Sequence, residues 1–152
     1  MSRLEFDGMK HEITLYNAKE EVVGSWEAYN NIDHRVKDMR HLPDKTYTMQ
    51  DTLFAHKHLK TPNMDTIDGE YGTYGIVRFF TPATKQNKLH TGVGVHSGRL
   101  YHNPAGPKYW TMGCIRTNEE AMKAITELMS TDALQTITVK NNMQILIKGH
   151  KK

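Results

Sequence analysis

The chain has 152 residues, of which 38% are hydrophobic and 24% are charged, and its formal net charge is +3 with histidine neutral. This length suits one domain with a single sizeable core, so we expect one soluble globular domain over residues 1–152. No stretch approaches the roughly 20 apolar residues of a membrane span, the start lacks the apolar core of a secretory signal, and the mildly basic runs carry no aromatic residues that would favour nucleic acid binding.

The first half of the chain predicts short strands joined by polar loops. Residues 11–17 alternate, with Ile13 and Leu15 on one face, and the polar turn and β-branched residues that follow predict a β-hairpin. Residues 31–45 are polar and end in a turn, and the loop at 60–75, rich in Gly and Pro, is expected to cover one end of the sheet. Residues 46–58 predict one or two short strands, whose candidate core residues are Tyr47, Met49, Leu53 and Phe54.

The second half predicts a central strand, the only helix and two closing strands. Residues 74–80 are β-branched and aromatic, as expected of a central strand. Thr117 as N-cap with Glu120 predicts a helix start, and the apolar face that follows supports an amphipathic helix. Two alternating strands are then predicted over 135–140 and 143–148, separated by a turn at Asn141 and Asn142. The architecture implied is a mostly β domain with one helix packed on it.

The only cysteine, Cys114, follows Gly113, and a glycine-rich turn that ends in His96 precedes it in the chain. A thiol is useful for acyl transfer only as a thiolate beside a base, and His96 is the expected base. We expect the helix start at Thr117 to favour the thiolate and the amides near Gly113 to form an oxyanion pocket. The pattern therefore predicts a nucleophile and a base that folding brings together.

Two blocks, HSG at 96–98 and TMGCIR at 111–116, resemble the signature of the L,D-transpeptidase catalytic domain of the YkuD type. The resemblance implies one such domain over residues 1–152, a mostly β sandwich with one main helix packed after the catalytic cysteine. The likeness extends outward to residues 13–30, 42–49 and 117–140, and it is weakest over 31–41 and 55–72.

The resemblance also implies an activity, which is cysteine-dependent acyl transfer on peptidoglycan stem peptides. The enzyme would release the terminal D-residue of the stem through a thioester intermediate. It would act as a monomer, without a cofactor, in the periplasm or cell wall. An amine acceptor would then give a 3→3 cross-link, whereas water would make the protein an L,D-carboxypeptidase or endopeptidase, such as a phage-encoded or exported wall-degrading enzyme. The expected catalytic residues are Cys114, His96, Ser97, which orients the imidazole, and Gly113, and the expected substrate-binding residues are Thr111 and Arg116.

Several of these residues have an alternative interpretation. A lone cysteine is more often a small buried hydrophobic residue than a nucleophile, but the block around Cys114 favours the nucleophile. His90 and His102 are rival bases, and only His96 has the turn and the spacing. Arg116 could steady the cysteine loop instead of meeting a substrate carboxylate.

Three neighbouring residues bear on the same site. Tyr109 and Trp110 are expected to pack within their loop rather than to form a substrate platform. Met112 stands where many L,D-transpeptidases have a histidine, so a second catalytic imidazole is not expected at that position.

Three other functions compete with acyl transfer on the wall. A metal site is not expected, because the histidines at 90, 96 and 102 lack a nearby carboxylate or second cysteine. A papain-like hydrolase would place its cysteine before its histidine, which is the reverse of the order here. A non-catalytic wall-binding module would bind peptidoglycan without reacting with thiol-directed acylating agents.

Overall fold

Strands dominate the computed structural model, which describes residues 1–33, 41–81 and 92–142. The one α-helix of the described residues, α1, spans Glu119–Met129 and follows the cysteine directly in the chain. Neither it nor the short 3₁₀ turns could cross a membrane, being too short and too polar for that. The strands are β1 Ser2–Asp7, β2 Glu12–Tyr16, β3 Val22–Tyr29, β4 Lys45–Thr48, β5 Val77–Arg78, β6 Gly94–His96, β7 Ile115–Thr117 and β8 Leu134–Lys140.

The strands form one curled sheet in the order β4-β8-β1-β2-β3-β7-β6-β5. Its centre is an antiparallel meander of β1, β2 and β3, and two pairs, β1 with β8 and β6 with β7, are parallel. The sheet bends far enough for its two end strands to meet. The Phe80 N–H donates to the Thr48 carbonyl at 2.9 Å, and a β-bridge joins Met49 to Phe79. The mostly β class and the single main helix are therefore confirmed, and the sandwich takes the form of one curled sheet.

Alternation along the strands builds the core inside this curl. Leu4 and Phe6 on β1 and Ile13 and Leu15 on β2 are fully buried, as their alternating pattern requires. Helix α1 adds one apolar face to the same cluster, and its buried residues are Ala121, Met122, Ile125 and Met129.

The helix begins later than its predicted cap. Asn118 is the N-cap, and its side chain accepts the Ala121 N–H at 2.9 Å. Thr117 belongs to β7 instead, where it pairs with Ala28 and donates its hydroxyl to the Glu27 carbonyl at 2.7 Å. The predicted capping box of Thr117 and Glu120 is therefore wrong, because Thr117 belongs to β7 and pairs with β3.

Some of the other predicted elements are confirmed, and others are not. The hairpin of β2 and β3 is confirmed, whereas strand β1 was not predicted. Tyr47 and Met49 are buried as predicted, but Leu53 and Phe54 are 61% and 75% exposed, because the chain leaves the sheet after Met49.

Strand β5 confirms a strand within residues 74–80, but it lies at one end of the sheet order, so its predicted central position is wrong. Strand β8 confirms the strand predicted over 135–140, and Asn141 turns the chain with a φ of 58°. The strand predicted over 143–148 lies outside the described residues.

Candidate active site

The predicted base and nucleophile lie on neighbouring segments, because His96 ends β6 and Cys114 directly precedes β7, which runs parallel to β6. The register of the two strands pairs Val95 with Ile115, both fully buried in the core, and His96 with Arg116. Residues two apart on a strand share a face, so Gly94 and His96 lie on the same side of β6. The Gly94 N–H donates to Cys114 Sγ at 3.4 Å, which places the thiol beside β6, two residues before His96 in the chain.

Cys114 is partly exposed, but its surroundings favour the neutral thiol. Burial raises the pKa of the thiol to about 11, against the smaller opposing effects of the Gly94 N–H and the Arg116 charge. Strand β7 stands between the cysteine and helix α1 in the chain, so Cys114 does not lie in the first turn of the helix, where the dipole acts most strongly. The predicted stabilisation of a thiolate by the helix start is therefore not supported, and the thiol is neutral near pH 7.

His96 is fully buried and is held in a single tautomer. Its Nδ1 lies 2.9 Å from the Ser97 carbonyl oxygen, which can only accept, so Nδ1 carries the proton and Nε2 keeps its lone pair. Burial, and then the Arg116 charge, lower the pKa of the imidazole to about 3, so the ring is neutral near pH 7. No hydrogen bond joins Cys114 Sγ to this imidazole, and each of the two groups is neutral near pH 7.

Ser97 connects the imidazole to the elements around it. Its carbonyl accepts from His96 and from Arg116 Nε, the latter at 3.2 Å. Its hydroxyl donates to the carboxylate of Glu119 in the first turn of α1, and its N–H donates to the Tyr71 carbonyl at 3.3 Å. Ser97 is thus placed where its backbone sets the orientation of the ring.

The loop before the cysteine is fixed by its own side chains. Gly113 has a φ of 127°, which a residue with a Cβ rarely adopts. Its N–H donates to Thr111 Oγ1 at 3.1 Å, and this hydroxyl donates to the Cys114 carbonyl at 2.7 Å. Thr111 is buried, so it supports the cysteine loop instead of facing a substrate, and the Gly113 amide is already engaged.

A buried asparagine, Asn30, holds the same loop from the opposite side. Its Nδ2 donates to the carbonyls of Gly113 and Cys114 at 2.9 and 3.0 Å, and its Oδ1 accepts from Leu42 N and Asn142 Nδ2. Sequence reasoning missed Asn30, which lies in a polar stretch with no local signal for burial.

Arg116 is fully buried and ties three loops together. Its Nη1 donates to the carbonyls of Tyr109 and Trp110, both at 3.0 Å, and its Nη2 donates to the Glu70 carbonyl at 2.8 Å. Burial lowers the pKa of the guanidinium to about 10, so it remains charged at neutral pH. Because its donors point into the protein, Arg116 is placed to steady the cysteine loop and not to contact a substrate carboxylate.

The 56–75 segment covers His96 through Tyr71. The Tyr71 ring contacts the His96 ring with centroids 4.9 Å apart, and it stacks on His58 at 4.1 Å. His58 Nδ1 donates to the Asp65 carboxylate at 2.9 Å. None of these three side chains was predicted, because their contact with the site depends on how a long loop folds back.

The rival residues occupy other places. His102 donates Nδ1 to Asp68 Oδ1 at 2.8 Å, and its ring packs edge-on against Tyr109. Tyr109 and Trp110 stack on each other at 4.3 Å, and Met112 is 55% exposed. His90 lies outside the described residues. Within the described ranges, no group of three or more His, Cys, Asp or Glu side chains is arranged to hold a metal ion.

Known proteins match this chain in structure and not in sequence. Neither a protein-family model nor a curated protein matches the chain by sequence. An L,D-transpeptidase (Yku) from Stackebrandtia nassauensis matches its structure with a TM-score of 0.56 at 13% identity, over 93% of this chain and 56% of that one. The L,D-transpeptidase of Xylanimonas cellulosilytica DSM 15894 matches with a TM-score of 0.56 at 15% identity, over 91% and 59%.

The chain therefore spans less than two thirds of the length of these two solved chains. At such identities the likeness concerns the path of the backbone, and it agrees with the motif resemblance in the sequence. The chain has the fold of the L,D-transpeptidases of the YkuD type.

Proposed function

We propose that this protein carries out cysteine-dependent acyl transfer on peptidoglycan stem peptides, in the periplasm or cell wall. The observation that carries the proposal is the contact of the only cysteine with Gly94 on β6, two residues before a buried neutral histidine whose Nε2 is free of a proton. The L,D-transpeptidase fold supplies the substrate class, since the solved neighbours are named for that reaction.

The first half-reaction forms a thioester. As Sγ of Cys114 attacks the carbonyl on the L-centre of the third stem residue, the thiol proton passes to Nε2 of His96. Because both groups start neutral, proton transfer accompanies formation of the C–S bond instead of preceding it. We assign stabilisation of the oxyanion to the Cys114 N–H, since the Gly113 N–H already donates to Thr111. Collapse breaks the C–N bond, and the imidazolium returns its proton to the leaving D-residue amine.

The second half-reaction decides the product. His96 takes a proton from an acceptor amine, which attacks the thioester, forms a 3→3 cross-link and releases the thiol. Water in place of the amine gives a free tripeptide, so the same site supports an L,D-carboxypeptidase.

The test uses purified disaccharide-tetrapeptide followed by mass spectrometry. We expect loss of the terminal D-residue, as a dimer or a tripeptide, and a mass adduct when the protein is incubated with a carbapenem. The matched control is Cys114→Ala, which should give neither product nor adduct. Unchanged tetrapeptide together with no carbapenem adduct on the wild-type protein would instead leave a non-catalytic wall-binding module.

A further inference from the structure

Two parts of Tyr71 touch the histidine assembly, and this double contact sets Tyr71 apart within the 56–75 segment. Its carbonyl accepts the Ser97 N–H at 3.3 Å, and the Ser97 carbonyl in turn accepts from His96 Nδ1. Its ring packs edge-on against the imidazole, with an interplanar angle of 68°. The orientation of the His96 ring therefore depends on where Tyr71 lies.

A second histidine, His58, packs on Tyr71. The His58 ring stacks on the Tyr71 ring, with centroids 4.1 Å apart and an interplanar angle of 14°. The Asp65 carboxylate accepts from both His58 Nδ1 and the His58 backbone N–H, and its side chain is only 8% exposed. A bridge between His56 and Ile76 anchors the chain just before His58 to the end of β5. His58 is thus fixed by its backbone and by both oxygens of one carboxylate.

We propose that His58, held by Asp65, is a positioning residue that fixes the Tyr71 ring and through it the imidazole of His96. The series Asp65, His58, Tyr71 and His96 is continuous, each member touching the next. The inference rests on the proposed function, in which His96 must present Nε2 to the thiol. A base displaced by about 1 Å can lose up to about 100-fold in rate, so a rigid backing for this ring matters to catalysis.

The chain contains a matched control. His102 and Asp68 form a second pair of the same composition with a 2.8 Å contact, which also joins the loops that cover the site. The His102 ring, however, packs on Tyr109 and not on Tyr71. Loss of either histidine loosens a loop, but only loss of His58 removes the support behind the base.

Alkylation of the only cysteine by iodoacetamide measures the base without any wall substrate. Mass spectrometry gives the rate constant of Cys114 modification across a pH series, with thermal unfolding recorded for every variant. His96→Asn sets the value expected without the base. We expect His58→Ala to lower the rate at neutral pH by about 10- to 100-fold and to move the pH profile toward that of His96→Asn. His58→Phe, which keeps a ring against Tyr71, should recover most of the rate, and His102→Ala should match the wild type.

A double-mutant cycle tests the route of the effect. If His58 acts through Tyr71, His58→Ala should cost almost nothing further in a Tyr71→Ala background. Wild-type alkylation by His58→Ala, equal losses in His58→Ala and His102→Ala, or additive losses in the cycle would each overturn the inference. Should His58→Ala fail to fold, His58→Phe and Asp65→Asn decide, since Asp65→Asn should also slow the reaction. A wild type that leaves tetrapeptide unprocessed but shows these alkylation differences refutes the proposed function alone.

Discussion

Replacement of Arg116 by methionine removes a buried cation that binds four backbone carbonyls, those of residues 70, 97, 109 and 110. Each carbonyl left without a partner in the interior costs about 1–3 kcal/mol. The loops can relax and admit water, so we expect the free energy of unfolding to fall by about 3–5 kcal/mol in total, as when a buried charge pair is broken. For a domain of this size the loss corresponds to a Tm lower by about 6–20 °C.

Urea unfolding of Arg116→Met beside Arg3→Met measures this difference. Arg3 contacts Glu5 and Glu20, but its side chain is 29% exposed, and its loss should cost under about 1 kcal/mol. Arg116→Lys should behave more like Arg116→Met than like the wild type, because one ammonium cannot reach three loops. Equal stability of the Arg116 and Arg3 variants would refute the assignment of Arg116 as the link between the loops.

Four further outcomes are expected. Cys114→Ala should abolish loss of the D-residue while changing the free energy of unfolding by less than about 1 kcal/mol, and a larger loss in urea unfolding would indicate a structural cysteine. His96→Asn should slow acylation by about 100-fold or more in a mass assay, whereas His102→Asn should cost little, and the reverse order would refute the choice of base. Because burial lowers the pKa of His96 to about 3, the unfolded chain binds a proton that the folded chain does not, so stability should fall as pH drops below about 6.5, by about 1.4 kcal/mol per unit; His96→Asn should lose this part of the slope. Asn30→Ala should cost about 2–3 kcal/mol and Asn31→Ala, whose side-chain bond to Lys108 is exposed, less than about 0.5 kcal/mol, and similar values for the two would contradict the role of Asn30 under the cysteine loop.

Local patterns in the sequence predict what local physics decides. Ile13 and Leu15 alternate on a strand, and the apolar face of residues 121–129 repeats with a helical period, so these elements follow from a few residues each. The helix cap did not, since Thr117 and Asn118 are both good caps and only the pairing of β7 with β3 decides between them. Leu53 was expected in the core because its side chain is apolar, but it is exposed because the chain has already left the sheet.

The residues of the candidate site were likewise predictable only where a local motif marks them. The motif around Cys114 and the turn at His96 predict two neighbouring segments, because His96 ends β6 and Cys114 directly precedes β7, which pairs with it. The support of these residues could not be predicted, since Asn30 and Tyr71 reach the site from loops far away in the chain. The state of the thiol was also missed, because its pKa depends on burial and not on the sequence neighbours of the cysteine.

The position of β8 has a consequence for the order in which the chain can fold. This strand lies between β4 and β1 and pairs with two segments from the first third of the chain, Ser2 with Leu134 and Thr48 with Thr136. Until residues 134–140 have been synthesised, β1 has an open edge and β4 has no neighbour in the sheet order. Contacts so distant in sequence form late and slowly, since a long loop must close before any of them is made. During synthesis the meander of β1, β2 and β3 therefore exposes an unpaired strand, which is the condition under which nascent β proteins are most prone to association.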